Sequence, residues 1–348
     1  MKSLKDISWL VDEPTYRADR ALSYSTISNY ERGGKFDSLA TLFEKKESPS
    51  LLLGSLVDTL ITGTPEEFEK LYLIADLPEC SDTIVNIVKG LFNTYNETYS
   101  SITDIPNNII IDITEQVKYQ LNWKPDTRAK VIKEKGSEYY KLMYLAKDKT
   151  LVSSEMYSNA LKMVDALHNA PATKYLFEPN NPFEPNVERL YQLKFKATFD
   201  GINYRCMMDE CLVLHDKKII IPIDLKTSHK TEYNFYKSFI EWGYMWQAKL
   251  YTAILKDNIL KDEYFKDFEI KPYIFVVVNK TTLNPLCWQF DDSLNTDDFI
   301  CGKDNRLVYR SPLTIGKELN EYLKKTPSVP NGILLDKPNN LKEWLNNI

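Results

Sequence analysis

Residues 205–226, RCMMDECLVLHDKKIIIPIDLK, limit what this chain can fold into more than any other stretch. Residues 207–214 are mostly apolar, His215, Asp216, Lys217 and Lys218 form a polar turn, and residues 219–225 are a nearly continuous apolar run. Short apolar runs bounded by turn residues fit strands of a largely buried sheet. Into that setting the sequence places Asp209, Asp224 and Lys226. Asp224 and Lys226 are two apart on the second strand, so their side chains leave the same face. Buried charges are costly unless they are paired or bind a metal. Two acids and a lysine converging at a strand end point to a divalent-cation site with a lysine beside it. The plainer alternative is a structural ion pair.

The sheet extends on both sides of this stretch. Residues 189–199 alternate apolar and polar side chains, and Asp200-Gly201 is a hairpin signal. Residues 272–280, PYIFVVVNK, read as a fourth strand, and residues 287–290 as a fifth. A helix over residues 233–255, with Gly243 near its middle, separates the third strand from the fourth. This is an α/β core: a mixed central sheet flanked by helices.

In front of it lies a mainly helical half. Residues 1–20 form a loose lead-in, and residues 23–35 a short helix capped by Ser23 or Ser25 and stopped by Gly33-Gly34. Its end, with Arg32 and Lys35, is either a plain surface helix or a phosphate-holding one. Residues 51–62 make an amphipathic helix in which Gly54 lets the helix approach the sheet and Asp58 points at the acids, unless that stripe simply faces water. Helical patches follow at residues 66–73, 84–95, 113–121 and 153–170, with a short strand at 107–111, a basic loop at 122–135 and a tyrosine-rich stretch at 138–145. The expected division is a helical region over 1–185 and a core with a helical tail over 186–348, packed as one compact unit. The tail carries helices at 314–325 and 341–347 joined by a proline-rich link.

Composition narrows the function classes. With 348 residues and a net charge of −5, the chain has no general attraction for nucleic acid, so any such binding needs a local basic surface. Five cysteines, Cys80, Cys206, Cys211, Cys287 and Cys301, are odd in number and scattered, which argues against a disulfide framework. Cys206 and Cys211, five apart on one strand, should face opposite sides of the sheet. The N-terminus lacks a signal-peptide core, and no apolar run approaches the ~20 residues of a membrane helix. A cytoplasmic protein is expected.

Taken in order, the motifs resemble a known family. GxxxD (Gly54, Asp58), the strand acid Asp209, IDLKT (residues 223–227) and GYxxQxxxY (Gly243, Tyr244, Gln247, Tyr251) are similar to the PD-(D/E)XK nuclease superfamily, nearest its RecB- and RecE-type, phage-like exonucleases. An SxSxxxxY helix is echoed by Ser23, Ser25 and Tyr30. The resemblance implies a restriction-endonuclease-like core and Mg²⁺- or Mn²⁺-dependent hydrolysis of DNA. It implies Asp209 and Asp224 as metal ligands, Lys226 as the catalytic lysine, and Gln247 and Tyr251 on the helix flanking the site. Asp58 takes the place of the histidine of many relatives. Glu188 sits where relatives carry an acid on the first core strand, and Tyr244, Ser25, Arg32, Lys35 and His229 are candidate supporting or DNA-contacting residues. Some relatives hold an iron–sulfur cluster; the cysteines here do not fit one. Expected partners are DNA ends, a single-strand annealing or recombination protein, and further copies of the chain. The competing readings are an endonuclease and a DNA-binding or assembly protein on a nuclease scaffold.

Overall fold

A computed structural model describes residues 1–33, 39, 41–43, 48–290, 299–300 and 307–325. After a 3-10 turn at Leu4–Ile7, the chain forms helices α1 (Glu13–Ala18), α2 (Tyr24–Arg32), α3 (Pro49–Thr62) and α4 (Pro65–Leu71), then strand β1 (Tyr72–Ala75). Helices α5 (Asp82–Tyr95), α6 (Asn107–Gln116) and α7 (Pro125–Ala146), strand β2 (Thr150–Ser153) and helix α8 (Ser154–Asn169) follow. Strands β3 (Val187–Phe199), β4 (Ile202–Leu214) and β5 (Ile219–Ser228) lead to helices α9 (Phe235–Trp242) and α10 (Tyr244–Leu260). The rest is β6 (Glu269–Ile270), β7 (Ile274–Asn279), β8 (Leu286–Gln289), β9 (Phe299–Ile300), β10 (Leu307–Tyr309) and helix α11 (Pro312–Lys325). The expected Lys35, Cys301 and the terminal helix at 341–347 lie outside the described residues.

The chain divides into two units, Met1–Gly54 with Met163–Ile348, and Ser55–Lys162. The boundary expected at residue 185 is therefore displaced, because the N-terminal segment folds with the sheet. Trp9 donates its N–H to the Lys194 carbonyl at 2.7 Å, and Leu22 exchanges bonds with Asn203 and Arg205 at 2.9 Å each. Asp19 adds an ion pair to Lys196 at 2.5 Å. The first residues thus strap the outer strands instead of forming a loose lead-in.

The first unit is built on a six-stranded mixed sheet, ordered β3-β4-β5-β7-β8, with β6 also pairing β5. Strands β3, β4 and β5 are antiparallel neighbours, whereas β5 and β7 run parallel. A parallel pair needs a crossover, and α9 and α10 supply it. The helix expected over 233–255 is in fact these two helices, broken where Gly243 adopts φ +65°. A Cβ there would lie 2.3 Å from the Trp246 ring, so only glycine fits the break. Helix α10 lies against β3 and β4, and its Ile254, Leu255 and Leu250 join Phe195, Val277 and Tyr273 in one core.

Strand β3 carries an irregularity. Gln192 has φ +53°, uncommon for a residue with a side chain. In a regular strand, residues three apart point to opposite faces. Yet Leu190 and Leu193 on β3, and Met208 and Cys211 on β4, all pack on the same core, and the Cys211 and Met208 sulfurs lie 3.3 Å apart. Both strands shift pleat phase together at Gln192 and the facing Asp209. This corrects the expectation for Cys206 and Cys211: both are buried in the same core.

The second unit has its own core around α5, α6 and α7, including Val88, Leu91, Ile110, Ile132 and Tyr140. Two expectations fail here. The strand expected at 107–111 is part of α6, and the basic loop expected at 122–135 opens α7. The buried stripe Arg128, Ala129, Ile132, Gly136, Tyr139 and Tyr140 recurs at helical spacing but is diluted by polar residues on the outer turns. Short strands β1 and β2 pair in parallel within this unit.

Candidate active site

The site forms where β4 and β5 part. Their ladder runs from Leu214↔Ile219 to Glu210↔Ile223. One further step in that register sets Asp209 opposite Asp224. Beyond it β5 stays paired with β7, through Asp224↔Phe275 and Lys226↔Val277 to Ser228↔Asn279. The Leu225 N–H, which the ladder would have aimed at a β4 carbonyl, instead donates to the Asp209 carboxylate, Oδ2, at 2.9 Å. A strand split beside an acid is thus built into the sheet, and the Gln192 pleat shift faces it.

Asp224 is 1% exposed and needs partners. Its Oδ2 lies 2.5 Å from Lys226 Nζ, and its Oδ1 accepts the Gln247 side-chain amide from α10. Lys226 is squeezed between opposing effects. Burial works against its charge, but Asp224, with Tyr244, Asp209 and Tyr24, outweighs burial and holds the ammonium above the ordinary lysine range. The Lys226 ammonium also sits over the Tyr244 ring, 4.7 Å from its centroid. Tyr244 in turn stacks on Phe235 and Phe275, with centroids 5.7 and 5.8 Å away.

Tyr251, four residues beyond Gln247 on the same helix, is buried against Tyr273 with ring centroids 6.3 Å apart. Burial first, and then neighbouring groups that include Asp224 and Asp209, hold its phenol well above the usual range. Gln247 Oε1 and Tyr273 Oη are buried without a hydrogen-bond partner, so the surroundings of the acids have unused polar capacity. Glu210, next to Asp209, was not singled out from the sequence. It is 1% exposed, neither carboxylate oxygen has a hydrogen-bond partner, and burial pushes it up to about 8 against the pull of Arg189.

The remaining expected residues fall into three groups. Gly54 stands against the sheet: a Cβ added to it would lie 3.2 Å from Thr227 Oγ1, the close approach that the sequence suggested. Asp58, one turn on in α3, belongs to the unit Ser55–Lys162. Near the lysine, Tyr24 and Ser28 donate from α2 to the Trp242 carbonyl at 2.9 and 3.2 Å, and Arg32 lies 4.1 Å over the Trp242 ring. The cap of α2 is Ser23, whose hydroxyl accepts the Thr26 N–H, while Ser25 is exposed and touches Ser23 Oγ at 2.9 Å. His229 is exposed just past β5. Glu188 is not brought to the site. It lies four residues along β3 from Gln192, about 13 Å away at strand spacing, where it accepts the Ser3 hydroxyl at 2.5 Å and lies 3.3 Å from His215.

Among the described residues, no group of three or more His, Cys, Asp or Glu side chains could hold a metal ion. Two facing carboxylates nevertheless suit magnesium, which binds through one or two carboxylates and keeps several waters. Their donor set, hard oxygens next to an ammonium, fits a hard divalent cation better than a soft one.

A family model described as a PDDEXK-like domain of unknown function, DUF3799, matches residues 34–305. The chain belongs to this family. Its mixed sheet with flanking helices is therefore a PD-(D/E)XK, restriction-endonuclease-like fold, and the DUF3799 match makes it a nuclease-type domain. Asp209, Asp224 and Lys226 lie within the matched span. Among solved structures, an exonuclease candidate from Eubacterium rectale aligns over 91% of this chain and 86% of its own, at 12% identity and a TM-score of 0.42. Protein VC1899 from Vibrio cholerae aligns over 83% and 60%, at 12% identity and a TM-score of 0.16. At those scores neither likeness bears on the function of this DUF3799 domain. No curated protein matches its sequence. No helix among the described residues is long and apolar enough to cross a membrane.

Proposed function

We propose that the chain is a divalent-metal-dependent deoxyribonuclease of the RecB- and RecE-like kind that degrades DNA from its ends. The observation that carries this reading is Asp224, buried at a strand split opposite Asp209 and clamped between Lys226 and Gln247. Asp209 and Asp224 would hold Mg²⁺ or Mn²⁺. The chemistry these carboxylates would gain from such a cation is a water of lowered pKa and an offset to the charge developing on the scissile phosphate.

The protein's own groups have separate tasks. The Lys226 ammonium faces the position where phosphate charge grows and stabilises it electrostatically. The Gln247 amide fixes the rotamer of Asp224, and the Leu225 N–H fixes that of Asp209. Tyr244 supports Lys226 from below. The product strand would pass to an annealing or recombination protein in phage-type recombination or repair.

The test is a digest of end-labelled linear DNA and closed circular DNA with Mg²⁺, resolved on a gel. Loss of the linear substrate with the circle intact is expected. Cutting of both at equal rate makes the protein an endonuclease, and an intact linear substrate in Mg²⁺ and in Mn²⁺ rejects the reading.

A further inference from the structure

We infer that Tyr273 is a positioning residue of the active site: its hydroxyl receives the Gln247 side chain when Asp224 turns to a divalent cation, an inference that rests on the nuclease reading and deepens it. Both oxygens of Asp224 are engaged, Oδ2 by Lys226 at 2.5 Å and Oδ1 by the Gln247 amide. With Asp224 only 1% exposed, a cation reaches it only if the carboxylate moves away from these partners. The Lys226 side chain keeps some access to solvent and can re-aim its ammonium there. Gln247 is 4% exposed and cannot. Its amide, parted from Asp224, needs another partner inside the protein or carries the full desolvation cost.

Tyr273 stands where that partner is needed. It directly precedes β7, whose Phe275 pairs with Asp224 in the sheet register. Tyr273 and Phe275 pack in the same core with ring centroids 5.2 Å apart. Helix α10 lies across both: Tyr244 stacks on Phe275 at 5.8 Å, and Tyr251 meets the Tyr273 ring at 6.3 Å. Positions 244, 247 and 251 recur at helical spacing, so Gln247 lies on the same side of the helix, between the two tyrosines. The Tyr273 backbone is fixed, since its carbonyl accepts the Phe290 N–H at 2.7 Å. Burial first, and then Asp224 ahead of Tyr251 and Asp209, holds its phenol well above the usual range, so the hydroxyl lies in the field of the same carboxylates.

The two unmet groups are complementary. Tyr273 Oη and Gln247 Oε1 are both buried without a hydrogen-bond partner. A phenol hydroxyl donates and accepts, and a primary amide does both through its nitrogen and oxygen. The Tyr273 O–H can donate to Gln247 Oε1, and its lone pairs can accept the N–H that leaves Asp224. A buried hydroxyl with no partner costs stability, and phenylalanine would fill the same apolar space without that cost. The hydroxyl thus has its use in the state in which Gln247 has let go of Asp224.

The experiment is calorimetric titration of Mn²⁺, without DNA, into wild type, Tyr273→Phe, Gln247→Ala and the double variant, with urea unfolding in EDTA alongside. Tyr273→Phe should bind Mn²⁺ about two- to tenfold more weakly, the worth of one neutral hydrogen bond. Its urea midpoint in EDTA should equal or exceed that of the wild type, because an unmet hydroxyl has been removed. In the Gln247→Ala background the same substitution should change Mn²⁺ affinity no further, since the hydroxyl acts through that amide. DNA cleavage by Tyr273→Phe should fall short at limiting Mg²⁺ and recover as Mg²⁺ is raised, which a damaged fold would not do. Unchanged Mn²⁺ affinity in Tyr273→Phe, additive losses in the double variant, a lowered urea midpoint in EDTA, or a wild type that binds no Mn²⁺ each overturns the inference. The two readings fail separately: the expected Mn²⁺ losses with no DNA cut reject the nuclease alone, whereas DNA cut by the wild type with Mn²⁺ bound equally by Tyr273→Phe rejects the positioning role alone.

Discussion

Asp224 is a buried carboxylate held between the Lys226 ammonium and the Gln247 amide. A buried carboxylate is tolerable only with its partners in place, and removing one partner leaves the full desolvation cost behind. Gln247 is 4% exposed and is one of its two close partners. Gln247→Ala should destabilise the protein by about 1–3 kcal/mol, read as a shift of the urea midpoint. No shift would mean that this amide does not support the acid. Gln192 poses a related problem at the facing position. Its positive φ belongs to the kind of backbone strain that costs about 1–3 kcal/mol and clusters at functional sites, and it coincides with the pleat shift at Asp209.

At the scale of elements, the N-terminal strap ties α1 and the start of α2 to β3 and β4. Asp19 is central to it. Burial is the largest influence and raises its pKa, but the hydrogen bond from Lys196, the Ala21 N–H, and the charges of Lys196 and Arg205 together hold it below the usual 3.8. A carboxyl depressed on folding adds stability that is present above its unfolded pKa and is lost as the pH falls through its folded value. Asp19→Asn should therefore cost up to about 1 kcal/mol at pH 7, with variant and wild type converging toward pH 2 in denaturant titrations. A constant gap across that range would contradict the pairing. The strap was not legible in the sequence, because its backbone bonds from Trp9 and Leu22 leave no side-chain signature and its Asp19–Lys196 pair joins residues 177 apart. Strands β3 to β5 and β7 were legible, since their apolar runs are long and bounded by clear turns. Helix α7 was not, because lysines and glutamates on its exposed side mask the buried stripe. Asp209, Asp224, Lys226 and Gln247, which the structure brings together where β4 and β5 part, were singled out by motif order. Gln192 and Glu210 could not be, because backbone conformation and the lack of a partner are tertiary facts.

For the whole molecule, two compact units and one family assignment frame the function. The larger unit brings Asp224, Lys226, Gln247 and Tyr244 together from β5 and α10 and sets Asp209 on β4 opposite. On the proposed reading, phosphodiesters are cut where β4 and β5 part. The most direct measurement is the rate of nucleotide release from linear DNA in Mg²⁺ by wild type and by Lys226→Ala, with circular dichroism confirming that both are folded. A fall of at least about 10²–10³-fold in the variant is predicted, the size expected for removing a group that stabilises transition-state charge. Release by Lys226→Ala at the wild-type rate would contradict the account.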